Sequence, residues 1–346
     1  MAPRPFAAAP SPDPGDTAPP SAWRSQRRTY AALDLGTNNC RLLIARPDGD
    51  GFVVVDAFSR IVRLGEGLAA TGRLSDAAMD RAVAALAVCG EKLRRRHVSL
   101  VRSVATEACR RASNGAEFVR RVQVETGISL EVISAETEAR LAVLGCHALL
   151  EPGEGPALIF DIGGGSTELV LLETGPNGPR VIDWFSAPWG VVSLTESAQH
   201  DPACAKARAA AYIAMRDRAA DALAGFALRL AAHHRGTLRL LGTSGTVTTL
   251  ASVHLGLPSY DRRAIDGLIV PAGAMRDISG RLAGLSMAER GELPCIGRER
   301  ADLVVAGCAI LEAIMDIWPA ERLGVADRGI REGILRSLMN HERLAR

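Results

Sequence analysis

The chain has 346 residues, 47% of them hydrophobic and 23% charged, which is long enough for two ordinary domains and too apolar for wholesale disorder. Its formal net charge is only +2, so no whole-chain field points to nucleic acid or a membrane surface, and any anion site has to be built locally. Lys92 and Lys206 are the only lysines among 41 basic residues, which argues against a lysine-centred mechanism and leaves arginine and backbone N–H groups to bind phosphate.

In chain order, residues 1–28 are rich in Ala, Pro, Ser and Arg and read as a disordered tail without a signal-peptide core. YAALDL (30–35), CRLLIAR (40–46) and FVVVDAF (52–58) read as three short strands. From Ser75 to Arg96 apolar residues recur at helical spacing behind a Ser75 cap, and a β-rich run, SLVRSVAT (99–106), follows. A short helix is predicted over 115–126, a strand over 130–133, and a longer helix over 134–150 that stops near Pro152 and Gly153. A domain boundary is placed at about residue 141, dividing 29–141 from 142–340. The second round opens with PALIFDI (156–162), TELVLLE (167–173) and RVIDWF (180–185), again three strands. An Ala-rich helix (204–234), the strand-turn-helix LRLLGTSGTVTTLASVH (238–254), and a last helix, strand and helix complete the chain. No apolar run reaches the roughly 18 residues of a membrane span. The seven cysteines are scattered with no CxxC pair, as in reduced cytosolic proteins, so a cytoplasmic protein is expected.

Asp34-Leu35-Gly36-Thr37 and Asp161-Ile162-Gly163-Gly164 stand 127 positions apart (161 − 34), each between apolar strands, which makes an internal repeat. Glycine permits close backbone approach, so a glycine cluster at a hairpin tip lets several N–H groups converge on one anion. A plain tight turn also favours glycine, but it needs no aspartate at the end of the buried strand before it, and both copies carry one. GTSGT (242–246) follows a strand and opens a helix, adding helix N-terminal N–H groups. Other glycine motifs are excluded: no lysine completes a Walker A loop, and Glu168 stands where a dinucleotide fingerprint needs glycine. There is no GxSxG or HExxH, and the histidines lack ligand spacing.

DLGTNN, ATEACRRASN (105–114), EVISAETEAR (131–140), DIGGGSTELV, GTSGTVTTLA and ADRGIREGIL, in this order, resemble the exopolyphosphatase/guanosine pentaphosphate phosphatase family of the actin, sugar-kinase and chaperone-ATPase superfamily, over about residues 29–340. The resemblance implies an α/β fold of two ribonuclease-H-like domains facing a central cleft, with mixed sheets flanked by helices. It also implies magnesium-dependent release of terminal phosphate from inorganic polyphosphate or pppGpp. It places the catalytic glutamate on Glu138, the water- or metal-positioning glutamate on Glu168, and metal-associated aspartates on Asp161 and Asp34. Phosphate contacts fall on Gly36, Thr37, Asn38 and Asn39, on Gly163, Gly164, Gly165, Ser166 and Thr167, on Gly242, Thr243, Ser244 and Gly245, and on Arg110. The family usually has Gly at Ala135 and His-Gly at Asp266-Gly267. The chain is also expected to lack the extra helical domains that help longer relatives dimerise, which leaves a homodimer open.

Elementary chemistry is compatible with these roles, since hydrolysing a phosphoanhydride calls for charge neutralisation and a carboxylate that orients or deprotonates water. Glu138 could equally be a first-turn helix acid. Residues two apart on a helix point about 200° apart, so Glu136 and Glu138 cannot both face a cleft; the resemblance selects Glu138. Glu168 could be a solvent-facing strand residue, and Arg110 a solvated one. Arg41, the repeat counterpart of Glu168, reads as structural or as a phosphate contact. Exopolyphosphatase activity is the leading expectation and pppGpp 5′-phosphohydrolase its closest rival. A sugar-kinase-like ATPase and a catalytically inert nucleotide sensor are less well matched.

Overall fold

The computed structural model describes residues 28–344 apart from 154, 176–177, 199, 202 and 234–237; the tail expected over 1–28 therefore lies, except for Arg28, outside the described residues. A first sheet contains β1 (Tyr30–Leu35), β2 (Asn39–Asp48), β3 (Gly51–Ile61), β4 (Leu100–Ala105) and β5 (Glu131–Val132), in the order β3-β2-β1-β4-β5. A second contains β6 (Pro156–Ile162), β7 (Thr167–Gly175), β8 (Gly178–Ala187), β9 (Arg239–Thr243), β10 (Ile269–Pro271) and β11 (Arg322–Ala326), in the order β10-β11-β9-β6-β7-β8. Both are mixed: β1 runs antiparallel to β2 and parallel to β4, and β6 antiparallel to β7 and parallel to β9.

The repeat extends well beyond its four-residue signature. Asp48 pairs with Gly51 in the first sheet and Gly175 with Gly178 in the second, and the register slips between Ile44 and Ala45 in one and between Leu171 and Leu172 in the other. Each second-sheet position is the first-sheet position plus 127 (175 − 48; 171 − 44), so even the β-bulge is duplicated. A bulge bends and twists a strand, so both hairpins are bent at the same position.

Helices α1 (Leu68–Thr71), α2 (Asp76–Arg95), α3 (Glu107–Arg111) and α4 (Gly115–Thr126) follow the first three strands. Ser75 caps α2 by accepting from Ala78 N–H, and α2 and α4 close one hydrophobic core on that sheet. Strands β6–β8 are followed by α6 (Val191–Ser197), α7 (Ala205–His233), α8 (Ser244–His254), α9 (Arg262–Ile265), α10 (Ala272–Gly284), α11 (Met287–Gly291) and α12 (Val304–Ile317); β9 and β10 return to the sheet among these helices and β11 after them. The largest core lies between this sheet and α7, α8, α10 and α12.

Two helices tie the lobes together. On α5 (Ala135–Cys146), Leu141 packs with the first sheet, whereas Ala139, Val143 and Cys146 pack with the second. The last helix, α13 (Ile330–Leu344), lies on the first sheet through Ile334, Leu335 and Met339, although in sequence it follows the second. The two helices approach so closely that a Cβ on Gly145 would meet Gly329 O at 2.0 Å and one on Gly333 would meet Leu141 O at 2.0 Å. Glycine is required at both crossings because backbone cannot move aside. Among the described residues, no helix is long and apolar enough to cross a membrane.

Candidate active site

The turns after β1 and β6 face one another across a shared cavity of about 90 Å³, room for several waters at roughly 10–15 Å³ each. Gly36 N–H closes the first turn on Asn39 O at 2.9 Å, and Gly163 N–H closes the second on Ser166 O at 3.0 Å. The two tips nest together: a Cβ on Gly164 would lie 3.0 Å from Thr37 Cβ, and one on Gly165 2.7 Å from Thr37 Oγ1 and 2.9 Å from Glu107 Cγ. On its other side the glycine run lies against Gly190, where a Cβ would come within 2.4 Å of Gly164 C.

The glycine carbonyls are held from behind. Val191 N–H donates to Gly163 O at 2.9 Å, Val192 N–H to Gly164 O at 2.8 Å, and the Ser193 hydroxyl to Gly165 O at 3.2 Å. In a trans peptide the N–H points opposite to its C=O, so the N–H groups of Gly164, Gly165 and Ser166 all point away from α6. None donates to an acceptor among the described residues, and Gly163–Ser166 line the cavity. Three convergent unpaired N–H groups form an anion-binding concavity. The first lobe uses the same brace: Gly65 N–H donates to Thr37 O at 2.9 Å, 127 positions before the Val192–Gly164 bond (192 − 65; 164 − 37).

Carboxylates surround this concavity. Asp161 and Glu168 stand directly opposite in the β6–β7 ladder, where facing Cβ atoms lie about 5 Å apart and like charges repel. Enclosure away from water raises Asp161 to about 6, opposed by Arg41 and reinforced by Asp34. Burial raises Glu168 to about 7, with Asp161 adding to the shift; the Ser166 and Ser186 hydroxyls, donating to its Oε1 at 2.7 and 2.9 Å, pull the other way. Burial also raises Asp34, against Arg41 and Arg331. Its Oδ1 is buried without a hydrogen-bond partner, as is Asn38 Oδ1.

Glu138 comes from α5, where the Ser134 hydroxyl accepts from Thr137 N–H and fixes the first turn. Its carboxylate reaches the cavity, whereas Glu136 is half-buried and pairs with Arg140 at 2.8 Å. Burial, then the charge of Glu168, raises Glu138 well above the ordinary glutamate range. Arg110 donates to Glu138 Oε2 at 3.1 Å and to Ile133 O at 2.8 Å, and is also bonded to Glu107. Its guanidinium thus stands behind the glutamate and is not part of the cavity lining.

The other sequence-selected residues divide between cavity and scaffold. Gly36, Thr37, Asn38, Asn39, Thr243 and Ser244 line the cavity. The Thr167 hydroxyl bonds Trp189 O at 2.8 Å, and Gly242 leaves space for Phe160, whose ring atoms would lie 2.8 Å from a Cβ there; both shape the tips from outside. Gly245 lines an adjoining cleft beside Arg41. Ser244 adopts φ 83°, an uncommon conformation for a residue with a Cβ, and its hydroxyl bonds Ile162 O at 2.8 Å. Sequence reasoning missed the loop before α13, which brings Asp327 and Arg328 to the cavity, and the first turn of α13, which adds Arg331. The Thr243 hydroxyl holds this loop by bonding Arg328 O at 2.7 Å, and Asp266 accepts from Arg328 Nε at 2.6 Å. The RGIREG signature lay in view, but no local pattern aims it at a cleft about 160 residues away in sequence from the second glycine tip.

Two pseudo-symmetric lobes, glycine tips that offer unpaired N–H groups, and carboxylates at the junction define a phosphoryl-handling protein of the actin-like ATPase fold. Residues 43–342 match the model of the Ppx/GppA phosphatase family, and the chain belongs to that family. Exopolyphosphatase 2 of Mycobacterium tuberculosis is 34% identical over 323 residues, covering 89% of this chain and 98% of that protein. A guanosine-5′-triphosphate,3′-diphosphate pyrophosphatase of Aeromonas salmonicida is 31% identical over 315 residues, covering 90% of this chain and 60% of its own length. Among solved structures, a Ppx/GppA enzyme of Aquifex aeolicus superposes with a TM-score of 0.72 at 30% identity, covering 90% of this chain and 99% of that one. An exopolyphosphatase from Cytophaga hutchinsonii gives 0.80 at 24% identity, covering 91% and 98%, and so bears on the fold alone.

Proposed function

We propose that the protein is an exopolyphosphatase that releases the terminal phosphate of inorganic polyphosphate by attack of water. The observation that carries this reading is the set of unpaired N–H groups at Gly164–Ser166, opening on the same cavity as Glu138. The terminal phosphoryl group sits on these N–H groups, and Arg41 and Arg331 offset its charge. Glu138 orients the attacking water and takes its proton; burial raises its proton affinity, which makes it a stronger proton acceptor than an exposed glutamate. Arg110 keeps the Glu138 carboxylate in place, and the shortened chain leaves along the cleft. Positioning and electrostatics supply most of the rate in such a reaction.

A magnesium ion fits this donor set. Among the described residues no group of three or more His, Cys, Asp or Glu side chains converges to hold a metal by itself. Magnesium commonly uses one or two carboxylates and completes its shell with water and phosphate oxygens. Asp34, with its partnerless oxygen, and Asp161 would hold it, with Glu168 beside them. When bound, the ion neutralises phosphate charge. A cytoplasmic location belongs to the same reading, supported by seven unpaired thiols.

The Aeromonas relative supports pppGpp as a second substrate. Phosphate release measured side by side on long-chain polyphosphate and pppGpp, with and without magnesium, tests both. Polyphosphate turnover that Glu138→Gln lowers at least about 10²-fold in a normally folded protein is expected; undiminished turnover in that variant removes the assignment of the base.

A further inference from the structure

A separate groove of about 740 Å³ lies between α9, α13 and the start of β3. Arg262, Arg263, Arg328 and Arg336 line it, against the carboxylates of Asp266 and Glu332. Arg328 also lines the active-site cavity, so the two spaces meet at one side chain. Two of the arginines are committed: Arg262 pairs with Asp327 and Glu332, and Arg328 with Asp266. Arg263 is exposed and Arg336 half-buried; neither has a carboxylate partner among the described residues, and Arg336 Nε has no hydrogen-bond partner. A guanidinium left without a counter-ion beside an open groove is a ready anion ligand.

The groove runs outward. Ile330 lines the catalytic cavity and Arg336 follows six residues later on α13, about 9 Å along the helix axis. The opposite wall, Gly51–Val54, belongs to the edge strand of the first sheet, whose outward N–H groups have no ladder partner. Val54 pairs with Ala45, about 20 Å along β2 from the glycine tip. From the Arg328 side chain shared with the catalytic cavity, arginines and the open edge of β3 thus line the groove outward, as an extended polyanion would need.

We propose that this groove is a track for the distal phosphoryl groups of an extended substrate, with Arg263 and Arg336 as its contacts; the idea rests on the exopolyphosphatase reading above. Arg263→Ala and the Arg263→Ala/Arg336→Ala double variant are compared with the unaltered chain on long-chain polyphosphate, tripolyphosphate and pppGpp. The KM for the long chain should rise about fivefold in the double variant, with kcat held and tripolyphosphate kinetics unchanged. Binding of the long chain should also lose part of its salt dependence, because fewer counter-ions are released. Arg263→Ala alone, at an exposed side chain, should show a smaller shift of the same kind and guards against misfolding of the double variant. Equal shifts for long and short chains, or none for either, overturn the track. A KM rise for pppGpp without one for the long chain also overturns it and assigns the groove to the nucleotide's 3′-diphosphate. If the unaltered chain hydrolyses no polyphosphate, the proposed function fails, and direct titration of the full-length protein with long-chain polyphosphate decides the groove: weaker binding in the variants supports it, equal binding rejects it.

Discussion

The two hairpins share a backbone and differ in charge. Register, bulge and carbonyl brace recur at one constant offset, yet Asp34 faces Arg41 in the first ladder and Asp161 faces Glu168 in the second. An aspartate opposite an arginine is balanced within the sheet. Two carboxylates opposite one another are not, so the second hairpin concentrates negative charge at a ladder position where the first offsets it with Arg41. The duplicated backbone makes the cradle, and the divergence at one cross-strand position gives one lobe a cavity-lining cation and the other an acidic pair.

Removing that divergence should have the largest effect. Glu168→Gln keeps the shape and the serine hydrogen bonds of the second hairpin while discharging half of its acidic pair. Turnover should fall about 10²- to 10³-fold, and the response of the residual activity to magnesium should flatten. A magnesium titration of kcat checks this; a variant with an unaltered magnesium response would separate Glu168 from the acidic centre and undo the comparison.

The same pair should mark the pH dependence of stability, with a sign opposite to that of most carboxylates. Asp161 at about 6 and Glu168 at about 7 bind protons more tightly in the folded chain than at their ordinary values near 4 in the unfolded one. Their contribution to stability is therefore full below about pH 4 and is lost as pH rises through about 7. Between pH 8 and pH 5 the metal-free protein should gain stability, on the order of a few kcal/mol for the two groups together. Asp56, lowered to about 2 by Lys92 and Arg96, acts only in more acidic solution. Melting temperatures across this range test the sign. Glu168→Gln should raise the melting temperature at pH 8 and reduce the slope, and magnesium should stabilise more at pH 8 than at pH 5.

Much of this architecture was legible because it is local. The helices over 115–126 and 204–234 and the three-strand openings of both lobes follow from periodicity and turn residues, and the structure has α4 at Gly115–Thr126 and α7 at Ala205–His233. The repeat was visible only at its tips, since the strands beyond preserve apolar pattern more than identity: Leu42 matches Leu169, but Arg41, Ala45 and Asp48 match Glu168, Leu172 and Gly175. Burial constrains which face a side chain takes, not which apolar residue fills it. Non-local features were not legible. That α13 lies on the first sheet, that its preceding loop reaches the cavity, and that Arg110 braces Glu138 instead of lining the cavity all depend on packing between segments distant in sequence. No spacing rule encodes such packing.

Arg41 offers the smaller, more discriminating test of the hairpin comparison. Its guanidinium lines the cavity beside Asp34 and Asp161, so Arg41→Ala removes a cation from the cavity and also the charge that opposes Asp34 in the first ladder. If the first hairpin serves mainly to hold substrate charge, KM should rise about tenfold, a loss of about 1.4 kcal/mol of binding, while kcat changes little. The proton affinity of the acidic cluster should rise as well, because Arg41 opposes the shifts of both Asp34 and Asp161, and the acid limb of the activity profile should move to higher pH. Arg41→Lys should restore part of the KM and most of the pH profile, since a point charge offsets a carboxylate but cannot make a forked contact with phosphate. A fall in kcat with an unchanged KM would instead mean that both hairpins act on the transition state, and that the asymmetry between them is one of charge without a division of labour.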